Sequence, residues 1–209
     1  RHDPAPRWKN GARFAVALTH DVDDVRLYSL RLAWRLLTLA RSPRSYAFRK
    51  GVGTALRTLA RAGQRGDPYS NFDRWAAEES RRGFRSCFYF CPPAPRERHE
   101  YDAMYAMDDA VEFEGRRTTV AELVRTLADR GFEIGLHGAY FSHRDGTELA
   151  REKRQIEQAA GRAIAGIRQH FLRFDIAGTW NAQQVAGFAY DTTLGYNEAI
   201  GFRAGIAAP

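Results

Sequence analysis

Phe14-Ala-Val-Ala-Leu-Thr19 runs directly into His20-Asp-Val-Asp-Asp24, a short apolar run whose C-terminal end carries three carboxylates. An apolar run of this length bounded by polar residues predicts a buried strand. The same shape recurs in Ser86-Cys-Phe-Tyr-Phe-Cys91 ahead of Pro92-Pro93, in Phe132-Glu-Ile-Gly-Leu-His137 after Gly131, and over Ala165 to Phe171 and Phe188 to Asp191. Helical patterns lie between them, over Phe72 to Arg82, Thr119 to Arg130, Gly146 to Ala160 and Trp180 to Ala186. Strands alternating with helices predict an α/β fold, with parallel pairing in a helix-covered sheet or barrel. In such folds reactive groups collect where the strands end.

At 209 residues the chain is expected to be one domain, since domains run to about 100–200 residues. Its 44% hydrophobic and 27% charged residues exclude a disordered, collagenous or coiled-coil chain. No uncharged apolar run reaches the about 18 residues that a membrane-spanning helix needs. Residues 1–13 lack the apolar core of a secretory signal and there is no initiator Met, so residue 1 is not expected to be the natural start. Cys87 and Cys91 are the two cysteines; on one strand they lie about 13 Å apart, too far for a disulfide. The compartment stays open.

The formal net charge of +7 is unevenly placed, because Val25 to Gly66 holds nine Arg and one Lys with no Asp or Glu. The basic character therefore belongs to an insertion after the first strand. Arg26, Arg31 and Arg35 interleave with Leu27, Leu30, Trp34 and Leu37, and Arg57 and Arg61 with Leu56 and Leu59, which predicts two amphipathic helices. Pro43 and the Gly51 to Gly53 stretch are expected to separate them. Such a segment can dock on an anionic membrane or hold an acidic polymer. The plainer reading, and the stronger one on this pattern alone, is an apolar stripe packed on the core with solvated arginines outside. No zinc-finger spacing, RNP-type aromatic run or Gly-rich phosphate loop accompanies the charge, so no nucleic-acid partner is expected.

Three stretches carry the chemistry. On a strand, Asp21 and Asp23 share a face while Val22 points to the opposite layer. Two carboxylates in one small space are unfavourable unless a cation neutralises them or one takes a proton. A divalent metal on one, with the other left as a base, resolves the conflict and yields a hydrolase; on this triplet alone, capping of a loop or helix is the stronger reading. His137 ends a predicted strand, and Gly138 lets the chain turn so that His143, otherwise about 20 Å away, can fold back to the same ion. Imidazoles with a carboxylate suit zinc, and an open site needs only three protein ligands. In Gly166-Ile-Arg-Gln-His-Phe-Leu-Arg-Phe174, Arg168 and His170 share a face. Arg168 can orient the base carboxylate, and His170 can be a further ligand or a proton donor; surface charge and a packed histidine explain the fragment equally well.

Together these residues resemble the polysaccharide deacetylases of the NodB-homology type, carbohydrate esterase family 4, from about Phe14 to Gly205. Thr19-His-Asp-Val-Asp23 is similar to the family's first motif, Glu133-Ile-Gly-Leu-His137 to the strand ahead of its second, and Arg168-Gln-His-Phe171 to its third. The tail Ala186-Gly-Phe-Ala-Tyr-Asp-Thr-Thr-Leu-Gly-Tyr196, with Gly201 to Gly205, is the most specific match. The resemblance implies a (β/α)7-type barrel of mainly parallel strands, incomplete because the family's last strands fall beyond Pro209, with the Arg-rich helical insertion at about residues 25–66. It implies Asp21 as catalytic base, Arg168 positioning it, and Asp23, His137 and His143 holding a divalent metal, zinc being favoured. His170 stands where the family usually has Pro and is the alternative ligand or a substrate contact. Tyr140 and Trp180, with Tyr196, are expected to stack on sugar rings. The implied reaction removes acetyl groups from N-acetylated sugars of a polysaccharide. The rival expectations are an inactive glycan-binding protein and a membrane-surface module of a polysaccharide assembly pathway.

Overall fold

The apolar runs become neighbouring strands of one sheet. The computed structural model describes residues 11–12, 14–61, 66–196, 198–201 and 203–204. In chain order the strands are β1 (Thr19–Val22), β2 (Cys87–Phe90), β3 (Ala110–Phe113), β4 (Arg116–Thr119), β5 (Glu133–Gly138), β6 (Gly166–Gln169) and β7 (Tyr190–Asp191). The helices are α1 (Leu30–Leu39), α2 (Tyr46–Ala60), α3 (Phe72–Arg81), α4 (Val120–Asp129), α5 (Gly146–Ala160) and α6 (Thr179–Val185). Strands β1, β2, β5, β6 and β7 lie side by side in that order, all parallel, while β3 and β4 form a separate antiparallel hairpin. The order follows the chain without reversal, so the sheet is wound in one direction.

Alternation along each strand separates two faces. Val22, Phe88, Phe90, Ile134, Leu136 and Ile167 turn to the helices and join Phe72, Leu123, Leu127, Leu149 and Ile156 in the main core. The other face carries Asp21, Tyr89, Gly135, His137, Gly166 and Arg168, in register from strand to strand. Its large rings lie over glycines. A Cβ on Gly135 would fall 2.4 Å from the Tyr89 ring, and one on Gly166 would fall 2.3 Å from Tyr190.

Helices α1 and α2 form the predicted insertion, each begun by a serine whose hydroxyl accepts a backbone N–H, Ser29 from Leu32 and Ser45 from Phe48. Their Leu32, Leu36 and Ala47 form a small core closed by Met104 from the segment between β2 and β3. Gly51 to Gly53 do not separate the helices but lie inside α2. The connection is residues 40–45, with Pro43. Gly51 is where the two helices meet, since a Cβ there would sit 3.0 Å from Leu37 and 3.2 Å from the Ala33 carbonyl.

A second correction concerns the first strand. Residues 14–18 are not in it; Phe14 and Val16 are 74% and 71% exposed. Its partner β2 pairs only from Leu18 O and Cys87 N onward (3.0 Å), so the apolar residues upstream have no neighbouring strand to bury them.

Candidate functional site

Every strand that reaches the site delivers a side chain from its C-terminal end. Asp21 and Asp23 come from the end of β1, Cys91 from the residue after β2, His137 from β5, Arg168 from β6, and His170 from the residue after β6. The parity that buries Val22, Phe90, Leu136 and Ile167 under the helices turns these six to the opposite face.

The histidines define the site through what their outer nitrogens do. His137 Nδ1 donates to the Arg168 carbonyl at 2.9 Å, and His170 Nε2 donates to the Tyr101 carbonyl at 2.7 Å. A carbonyl only accepts, so these nitrogens carry the hydrogens, and in the neutral rings the inner ones present lone pairs. His137 Nε2 and His170 Nδ1 are 3.0 Å apart, and each is 3.4 Å from Asp23 Oδ1. Three acceptors facing one another repel unless a cation sits among them. Their spacing matches the roughly 3.3 Å between donor atoms of a tetrahedral centre with bonds of about 2.0–2.1 Å. Cys91 Sγ joins the group, in which all four donor atoms lie within 4.8 Å of one another. The residues present therefore fit a divalent metal.

Asp23 and His170 shift each other's ionisation. Burial works to raise the Asp23 carboxyl, yet hydrogen bonds and charge from His137 and His170 prevail and hold it well below the usual carboxylate range. Burial likewise works to lower His170, but Asp23 and the Tyr101 carbonyl outweigh it and shift the ring upward. Burial, with nearby Asp23 and Asp102, pushes the Cys91 thiol well up. Asp24 turns elsewhere and pairs with Lys50 of α2 at 2.7 Å.

Beside the acceptor group, Asp21 Oδ1 accepts from Arg168 Nη1 at 2.9 Å. The arginine reaches from β6 to β1 above the two intervening strands, its guanidinium 5.0 Å over the Tyr89 ring and its Nε 3.1 Å from Thr192 Oγ1. The sheet is curled enough for one side chain to bridge it. An open groove of about 510 Å³ leads from Asp21 and Asp23 along Tyr69, Asn71 and Trp75. Two consecutive left-handed residues, Phe171 (φ 56°) and Leu172 (φ 50°), follow His170. This is strain of the kind that active sites retain, and it leaves Phe171 57% exposed while His170 stays buried.

The structure thus brings Asp21, Asp23, His137, Arg168 and His170 together, but not His143. The chain does turn after Gly138, but the 3-10 turn Ser142–Arg144 places His143 outside the acceptor group. There burial and the charges of Arg173 and Arg144 pull its pKa down. His170 occupies the third position instead. Tyr140 does not offer a free ring, being stacked on His99 at 3.9 Å with the Arg173 guanidinium 4.0 Å from its centre. Trp180 is half exposed on α6 and packs edge-on to Phe174 at 5.1 Å, apart from the groove. Cys91, Tyr69 and Trp75 are additions that the sequence reading did not make. For Cys91 a signal existed, since it ends a strand on the same parity as Tyr89. Comparison of the chain with family models, with curated proteins and with solved structures yields no match.

Proposed function

We propose that the chain is a metal-dependent hydrolase that removes acetyl groups from N-acetylated sugars of a polysaccharide, and that its parallel sheet is part of a (β/α)7-type barrel. The observation that carries this reading is the convergence of three acceptors, Asp23, His137 and His170, beside a separate carboxylate held by an arginine. Asp23, His137 and His170 would hold the ion. The nitrogen-rich set with a nearby thiol favours zinc over the harder magnesium and calcium. Bound there, the metal supplies Lewis acidity, polarising an acetyl carbonyl and acidifying a water.

The chain's own groups do the rest. Asp21 takes the proton of the attacking water, and Arg168 is a positioning residue that keeps Asp21 aimed. Water oxygen bonds to the acetyl carbon, the C–N bond breaks, and the amine leaves with a proton. The products are acetate and a free amino sugar. Tyr69 and Trp75, the latter with one face stacked on His20 at 4.8 Å, line the groove beside Asp21 and Asp23 and would meet the sugar in place of Tyr140 and Trp180.

The test is elemental analysis of chelator-free protein together with acetate release from N-acetylglucosamine oligomers. Asp21→Asn retains metal and loses on the order of 10²–10⁴ in turnover, whereas His137→Ala and His170→Ala lose the metal itself. Equal metal content and undiminished acetate release in these variants overturn the assignment. A second reading rests on Cys91: with its sulfur as fourth ligand the set is closed, as in structural zinc sites, and the chain binds glycan without cleaving it. Stoichiometric metal with no acetate release from the unaltered chain is its signature.

A further inference from the structure

We propose that the outer face of the α1–α2 hairpin docks on an anionic lipid surface. On α1, Leu30 and Trp34 are one turn apart and 53% and 69% exposed; on α2, Leu56 and Leu59 are 62% and 61% exposed. The short connection makes the helices antiparallel, and Ala33 and Gly51 mark their line of contact. At about 100° per residue, the buried Leu32 and Leu36 of α1 and Ala47 and Thr54 of α2 fall to one side of that line. Leu30, Trp34, Leu56 and Leu59 fall to the other. Both apolar stripes therefore share the side turned away from the core.

Charge identifies the occupant. Arg31 and Arg35 are paired with Asp108 and Asp109, and Lys50 with Asp24. Arg41, Arg44, Arg49 and Arg57 have no carboxylate partner among the described residues and are exposed. Arg49 lies about 20° round α2 from Leu56 at 100° per residue, on the apolar side, whereas Arg57 turns away from Leu59 and lies 3.3 Å from where a Gly53 Cβ would be. A dry protein interface would have to bury or match these guanidinium groups. A lipid surface gives phosphates at headgroup level to the arginines and an apolar boundary just below to leucine and tryptophan, which is where Trp concentrates. No helix of the described residues is long and apolar enough to cross a membrane, so the hairpin lies on the surface.

The test is co-sedimentation of the chain with phosphatidylcholine vesicles prepared with and without phosphatidylglycerol, over a salt series. Binding is expected only with the anionic lipid and weakens as salt rises. Trp34→Ser combined with Leu56→Ser lowers the partition coefficient at least about tenfold, and Arg49→Gln lowers it about fivefold. Thermal melts matching the parent show that these exposed positions leave the fold intact. Three outcomes overturn the proposal: no pelleting with anionic vesicles, equal pelleting with neutral ones, or indifference to the Trp34 and Leu56 changes. In the first case, self-association abolished by the Trp34 and Leu56 changes assigns the face to a second copy, and retention on an acidic polysaccharide assigns it to a soluble polymer.

Discussion

His137 and His170 each commit one ring nitrogen to a backbone carbonyl and turn the other to Asp23. Neighbouring α5 carries a different buried acid that resolves its charge by keeping the proton. Glu152 is fully buried, with Oε2 accepting from Ala139 N at 3.3 Å and Oε1 without a partner among the described residues. Burial raises its pKa from 4.5 to about 8. The folded state therefore holds a proton that the unfolded state releases above 4.5, and the stabilisation this gives is complete below 4.5 and lost as pH rises through about 8. Glu152→Gln keeps the shape without the ionisation. The parent should lose up to a few kcal/mol relative to this variant between about pH 5 and about pH 9. Urea melts across that range check it, and a pH-independent difference between the two proteins contradicts it.

Strand ends, and the small residues that let neighbouring strands approach, decide the element scale. Tyr89 lies over Gly135 and supports Arg168 from below. Gly135→Ala drives a methyl into that ring, with the Gly166 carbonyl 3.1 Å away on the other side, at a cost of about 1–3 kcal/mol. Displacing the ring tilts Arg168 off Asp21, so under the proposed function acetate release is expected to fall while metal content holds. Unchanged turnover in a stably folded Gly135→Ala protein removes Tyr89 from the positioning of Arg168. The helices of the sheet were legible because their signals are local. Thr119 and Glu122 make a capping box at the start of α4, and Gly161 ends α5 in the left-handed conformation. The shared face of Asp21 with Asp23 and of Arg168 with His170 was legible in the same way, and His137 as a strand end. What failed depended on neighbours distant in sequence. The apolar run at residues 14–18 lacks a partner that nothing within it reveals, and Gly51 resembles a helix breaker until Leu37 lies against it. His143 was preferred to His170 because Gly138 lets the chain fold back, although the turn that follows a strand sets its own direction. The hairpin of β3 and β4 was overlooked even though Glu114 and Gly115, at φ 51° and 71°, stand between alternating residues as hairpin turns do.

Across the whole molecule the main core under the sheet and the small core of the α1–α2 hairpin are separate clusters. Met104, which completes the small core, and the Tyr46–Tyr101 ring contact at 4.9 Å tie the hairpin to the body, and polar contacts add to them. Arg31 and Arg35 reach Asp108 and Asp109, the Ala47 N–H donates to Glu100 at 2.8 Å, and Lys50 pairs with Asp24. Arg31 and Asp108 are 53% and 67% exposed in their side chains, so salt screens that pair readily. Cooperative units held by few apolar contacts open below the global unfolding free energy. Amides of Leu36 and Thr54 should therefore exchange hydrogen through a lower-energy opening than those of Phe88 and Leu136, and salt should widen the gap. The ion pair to Asp24 adds a coupling, because Asp24 adjoins Asp23 and holding one restrains the other. Whatever fixes Asp23 against His137 and His170 then favours the docked hairpin, and a docked hairpin by reciprocity favours the bound ion. Zinc added to the chelated chain should slow exchange in α2 as well as at the strand ends. Lys50→Met should abolish the gain in α2 and weaken zinc binding by the same factor. Protection of α2 that ignores zinc, or a Lys50→Met chain that binds zinc as tightly as the parent, removes the coupling and leaves the hairpin independent of the site.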